Sequence, residues 1–186
     1  MNNNLMNGDI VFRAAADNDL AEAINDVTQT NQFDHYTHMG ITEVKDQHVY
    51  IYHADPHLGV CCQALSEFRL SEQNEVLNIG VYRLTPSYQH YVDNALSLAR
   101  TLIGQPYNHS YILDHQGFYC SEFIYHLFAD TGLFTLKPMT FKQPGSDSFH
   151  PGWITYYREL GLEIPEGLPG CNPNEMAASQ NLIKVF

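Results

Sequence analysis

Residues 36–54 read Tyr-Thr-His-Met-Gly-Ile-Thr-Glu-Val-Lys-Asp-Gln-His-Val-Tyr-Ile-Tyr-His-Ala, and this stretch decides the fold class. Its two halves, His38–Val44 and His48–His53, are rich in β-branched and aromatic residues and read as strands. The polar Glu43–Gln47 stretch turns the chain between them, as a hairpin or a slightly longer loop. As hairpin neighbours, the imidazoles of His38 and His53 would lie side by side. Upstream, Gly8-Asp9 precedes a short strand at Ile10-Val11-Phe12, and Leu20, Ala23, Ile24 and Val27 predict a helix over 19–30 with Asp19 as its N-cap. Downstream, Leu77–Leu84 alternates as a strand and Thr85-Pro86 opens a helix. The apolar stripe of that helix runs Tyr88, Tyr91, Val92, Ala95, Leu98, Ala99, Leu102, and Gly104 stops it. A second helix runs from about Tyr119 to Thr131, with Phe123, Ile124, Leu127 and Phe128 on one face and Gly132 at its exit. Lys137–Gly152 reads as a long irregular loop, Trp153–Leu160 as a short helix, Ile164–Pro173 as turns, and Leu182–Phe186 as a strand closing a sheet edge. The pattern predicts an α+β fold: a mainly antiparallel sheet with helices packed on it.

No repeat, linker or low-complexity tract divides the 186 residues. We expect a single domain over 1–186, with residues 132–186 as a loop-rich C-terminal extension. Hydrophobic residues make up 44% and charged ones 16%, a globular composition and not a disordered one. The formal net charge of −12, with no Lys/Arg cluster to reverse it locally, argues against nucleic acid and anionic membrane surfaces as partners. No apolar run approaches the ~20 residues of a membrane span. Met1–Asn7 lacks a basic stretch followed by an apolar one, so a cytoplasmic location is expected; a leader trimmed away beforehand would instead mean a periplasmic or secreted protein. Four cysteines, two of them adjacent (Cys61 and Cys62) and none in a CxxC spacing, fit a reducing compartment better than a disulfide framework.

Three residues carry chemistry if they meet. Cys120 falls in the first turn of a helix, where unpaired N–H groups and the helix dipole favour thiolate. A cysteine so placed is most often a small buried hydrophobe, so its position alone does not establish reactivity. His38 begins one strand and His53 ends the next, so one imidazole can act as base while the other fixes its tautomer. Two ordinary strand-end histidines would look the same. His35 with His38, and His53 with His57, could also be read as metal-ligand pairs, but strand-borne pairs off the same-face period chelate poorly and no thiol accompanies them at zinc-finger spacing. No metal or other cofactor is expected. Glu122 suits a first-turn partner of the helix dipole.

At these residues the chain resembles a known family. Gly8-Asp9-Ile10-Val11-Phe12, Tyr36-Thr37-His38-Met39-Gly40, Val49-Tyr50-Ile51-Tyr52-His53-Ala54, Ile103-Gly104-Gln105-Pro106-Tyr107 and Tyr119-Cys120-Ser121-Glu122 follow the order seen in YiiX/YebB-like proteins. These form the permuted branch of the NlpC-type papain-like cysteine peptidases and amidases, related to the lecithin retinol acyltransferase-like enzymes. The resemblance covers about residues 8–130. It implies a circularly permuted papain-like fold in which the histidine strand precedes the cysteine helix. It implies Cys120 as nucleophile, His38 as base, and His53 at the third polar position of the triad, where near relatives often carry Glu. Tyr36, two residues before the base, would line the pocket or hold substrate. The implied reaction is hydrolysis of an amide in a small peptide or amino-acid conjugate through a thioester. Thiol-dependent acyl transfer and a catalytically inactive binding domain are the alternatives. The superfamily's cell-wall amide substrates, with the chain's acidity, point to a substrate bearing a free ammonium group. Substrate identity and oligomeric state are not specified by these residues.

Overall fold

The computed structural model of the chain describes residues 4–14, 23–24, 26–28, 35–113 and 116–186. Residues 38–55 form a tight hairpin. Strand β1 (Ile10–Arg13) is followed by β2 (His38–Lys45) and β3 (His48–Asp55). Only Asp46 and Gln47 separate the last two, both at positive φ (50° and 64°). That left-handed pair matches the twist of the flanking strands, which is why so short a turn closes them. Val44 pairs with Val49, and Ile41 with Tyr52.

Two elements follow that the sequence reading missed. Strand β4 (Gly59–Ala64) extends β3 antiparallel, and a one-turn helix α1 (Leu65–Phe68) leaves it. Strand β5 (Ile79–Leu84) returns alongside β1. A 3-10 turn over Pro86–Tyr91 then leads into α2 (Val92–Thr101). The remaining elements are α3 (Cys120–Leu127), β6 (Lys137–Pro138), α4 (Pro151–Leu160), β7 (Pro169–Gly170), α5 (Pro173–Ala177) and β8 (Leu182–Lys184). The main sheet runs β4-β3-β2-β1-β5-β8, antiparallel at every pairing. The sheet-edge strand expected at the C-terminus is therefore β8, on β5.

Both faces of this sheet are covered, so Ile10, Val11 and Phe12 of β1 are all apolar, and Arg13 closes the strand. In β1, Ile10 and Phe12 face a core shared with α2 and α3, whereas Val11 faces a second core with Ile51, Val81 and Phe68 of α1. Alternation along a strand sends neighbours to opposite faces, and here each face meets its own helices. The segment read as an irregular loop, 137–152, is tied down by β6–β7 pairing and by a bridge between Lys142 and Phe149. Of the helix predicted over 19–30, residues 23, 24, 26 and 27 are helical. Its proposed cap, Asp19, lies outside the described residues.

Candidate active site

Cys120 is the first residue of α3, and that helix starts where it does because Glu122 caps it. The Glu122 carboxylate accepts the Tyr119 backbone N–H at 3.0 Å and the Asn108 amide at 3.0 Å. The reading of Glu122 as a first-turn partner is thus sharpened: it satisfies a specific backbone donor. From the C-terminal part of the chain, Cys171 locks the same turn. Ser121 donates to its carbonyl at 3.0 Å, and its N–H donates to the Tyr119 hydroxyl at 3.2 Å. The Cys120 Sγ rests 3.9 Å from the Thr37 carbonyl, with the Met39 and Ser121 N–H groups also directed at it.

His38 is the first residue of β2, and its Nε2 lies 2.8 Å from Nδ1 of His53. The rings cross at 89° and both contact Phe68 of α1, His38 tilted at 35° and His53 edge-on. The expected side-by-side pair therefore exists, and it has a further partner that the sequence reading did not find. His53 Nε2 is 2.9 Å from Oε1 of Gln63 on β4. That oxygen can only accept, so His53 carries its proton on Nε2 and presents a bare Nδ1. His38 then donates from Nε2, and its own Nδ1 keeps the lone pair. A chain of two bonds thus specifies which nitrogen of His38 is basic. Gln63 shares a sheet face with Cys61, the register partner of His53. Its signal in the sequence was hidden because β4, with its run Val60-Cys61-Cys62-Gln63, shows no alternation.

The thiol and the imidazole approach from opposite sides of β2. His38 lies on the α1 side against Phe68, and Cys120 comes from the α3 side beneath Met39. Both open onto one cavity of about 660 Å³ at the end of that strand. No hydrogen bond joins the two among the described residues. The cavity lining includes the carboxylates Asp55, Glu72 and Glu75 as well as the apolar Met139, Phe141 and Trp153. Tyr107 and Tyr111 line it close to Cys120, and the Tyr107 hydroxyl faces both the Cys120 backbone N–H and the Tyr111 hydroxyl. Tyr111 holds a left-handed backbone, φ 57°, an outlier for a bulky side chain.

Tyr36 is placed otherwise than expected. It is 5% exposed and is absent from the cavity wall, its ring packed on Phe12 and Tyr82 in the core. Strict alternation would put residue 36 on the face of residue 38, but Tyr36 precedes β2 and enters the core that holds Met39. Among the described residues His35 and His57 form no ligand set with the two site histidines. Of the two histidines that flank the loop ahead of Cys120, His109 packs against the Tyr107 ring, and His115 lies outside the described residues.

Burial sets the charge state. It pushes the Cys120 thiol up to about 11, against the pull of the Ser121 and Met39 N–H groups and of Arg13. The thiolate-favouring effect expected from the helix terminus is present but smaller than the desolvation. Burial, then the nearby Arg13 cation, lowers His38 well below its ordinary value. The same burial takes His53 down to about 4, partly opposed by its bond to Gln63. The resting site is thiol and neutral imidazoles.

The sequence model of the family described as permuted papain-like amidase enzyme, YaeF/YiiX, C92 family, matches residues 4–186. Among solved structures, the crystal structure of metalloprotein yiiX from Escherichia coli O157:H7 superposes with a TM-score of 0.75. Sequence identity is 18%, over 97% of this chain and 96% of that one. That likeness identifies the fold as the permuted papain-like one. No curated protein matches.

Proposed function

The chain belongs to the permuted papain-like amidases and is a hydrolase of the cysteine-peptidase type, and from that premise we propose that it cleaves an amide bond of a small peptide or amino-acid conjugate through a thioester on Cys120. The observation that carries this reading is the Gln63–His53–His38 chain, which ends in a basic Nδ1 beside the cavity onto which Cys120 opens. In the proposed reaction His38 Nδ1 takes the thiol proton as sulfur attacks the carbonyl carbon. Proton transfer and attack go together, because burial disfavours a free thiolate. The Cys120 N–H and the Tyr107 hydroxyl lie where they could receive the developing oxyanion. The imidazolium then protonates the leaving amine, and neutral His38 activates water to release the acid.

The related yiiX structure is titled a metalloprotein. Here the donors do not suit a metal. Among the described residues no three His, Cys, Asp or Glu side chains converge as ligands, and three of the four ring nitrogens of His38 and His53 are engaged with each other and with Gln63. No step is routed through one. Among the described residues no helix is long and apolar enough to cross a membrane.

The test is exposure to p-nitrophenyl acetate with mass analysis of the protein. An acetyl group on Cys120, formed slowly in His38→Ala and absent in Cys120→Ala, is the expected result. No adduct at Cys120 would return the chain to the binding-domain reading. An adduct passed to added amines faster than to water would favour acyl transfer.

A further inference from the structure

Arg13 closes β1 and is the register partner of His38, so its side chain enters the cavity beside the proposed base. One edge of the guanidinium is fixed. Its Nη1 donates to the Phe68 carbonyl at 2.6 Å, and its carbon sits 4.9 Å above the Phe68 ring. Neither contact brings negative charge. Arg83 and Arg100 each hold a carboxylate, Asp9 and Glu43. Arg13 has none within ion-pair distance among the described residues, and Asp55 acts on it only over a longer range. Nε and Nη2 make no hydrogen bond there either. A half-buried guanidinium with its second edge open is a planar fork, complementary to a carboxylate and costly to leave unpaired.

We infer that Arg13 is a carboxylate-binding residue of the active site, so that the conjugate cleaved there carries a carboxylate near its scissile amide. This rests on the amidase reading and adds a substrate requirement to it. Burial already weakens the Arg13 cation, and a bound carboxylate would relieve that while leaving the neutral thiol and imidazoles free to react. Asp55, Glu72 and Glu75 also line the cavity and supply negative charge for the ammonium of the same amino-acid unit, although Glu72 is bonded to His57 and would have to share that contact.

Two small alkylating agents of different charge test this without a known substrate. Iodoacetate and iodoacetamide both transfer their CH₂ carbon to sulfur and expel iodide, so their rate ratio at one thiol is independent of how much thiolate is present. Exposed Cys62 supplies the internal reference. The expected result is a saturating rate with iodoacetate at Cys120 and an iodoacetate preference about tenfold above that at Cys62, the size of one charge-assisted hydrogen bond. Arg13→Met should bring the ratio down to that of Cys62, and Arg13→Lys, which keeps the charge but not the fork, should fall between. A non-saturating rate with the Cys62 ratio, or a ratio unchanged in Arg13→Met, overturns the inference. Equal slowing of both reagents in Arg13→Met also overturns it, since that marks an effect on the thiol alone. A second arm does not need the nucleophile: in Cys120→Ala, propionate but not propionamide should raise the unfolding temperature, and the added Arg13→Met change should abolish the difference. Propionate without effect there overturns the inference. If Cys120 resists both reagents while propionate still stabilises, the carboxylate site stands and the nucleophile assignment falls.

Discussion

His38 meets two demands at once, because one ring nitrogen must be occupied for the other to be basic. His53 occupies it, and Gln63 decides the proton's position in His53. The loss of activity should therefore be graded. His38→Ala removes the base, worth ~10²–10⁴-fold in rate; His53→Ala should cost less, and Gln63→Leu least, since the His38–His53 bond survives it. Nitrogen chemical shifts of the two rings supply a readout independent of turnover, with the His38 proton expected on Nε2 in the native protein and divided between nitrogens in Gln63→Leu. An undivided Nε2 proton in that variant would show that Gln63 does not set the tautomer. The charge state makes a second prediction at this scale. With the thiol pushed up to about 11 and the imidazoles down, Cys120 alkylation should climb steadily from pH 6 to pH 10. A plateau reached below pH 7 would mean a preformed thiolate–imidazolium pair and would contradict this site.

Helix α3 is held at its start by a side chain that the reaction does not use. The Glu122 carboxylate joins the Tyr119 N–H to the Asn108 amide, and Asn108 also donates to the Ile112 carbonyl at 2.7 Å. The loop before Cys120 and the helix that carries it thus share one carboxylate. Glu122→Ala should destabilise the protein by about 1–2 kcal/mol, as loss of a cap with a buried donor left unpaired does. Its rate loss should exceed what the stability change explains, because Cys120 is displaced. Glu122→Gln keeps an acceptor for Tyr119 and should recover much of both. Unfolding curves and p-nitrophenyl acetate kinetics on the two variants check this, and an Ala variant as stable as the native chain would rule out the cap.

Across the whole molecule, the buried histidines tie stability to pH. An imidazole whose folded-state value lies below its unfolded one binds a proton in the unfolded chain first, so stability is full above about pH 6.5 and lost as the pH falls toward the folded value. For His53, down to about 4, this amounts to roughly 3 kcal/mol across that window, and His38 adds in the same direction. Denaturant unfolding at pH 7.5, 5.5 and 4.5 should show the decline, and His53→Gln should flatten it. An equal slope in the variant would place the acid sensitivity elsewhere, for example at Glu43, whose value is lowered mainly by its bond with Arg100.

The sequence by itself determined the strands around His38 and His53, the helix starting at Cys120, the sheet-edge strand at the C-terminus and, through short motifs in order, the permuted papain-like family. These are local signals: strand chemistry, a capping acid, a proline at a helix start, a run of residues read without knowing what touches it. Tertiary structure alone decided the rest. Gln63 acts on His53 only because β4 pairs with β3, and Arg13 reaches the site only because β1 pairs with β2. Tyr36, two residues from His38, sits in the core because the chain ahead of β2 does not keep the strand's alternation. The charge state of Cys120 was also beyond the sequence, since the helix terminus can be read from neighbouring residues but desolvation depends on every segment that closes over the thiol.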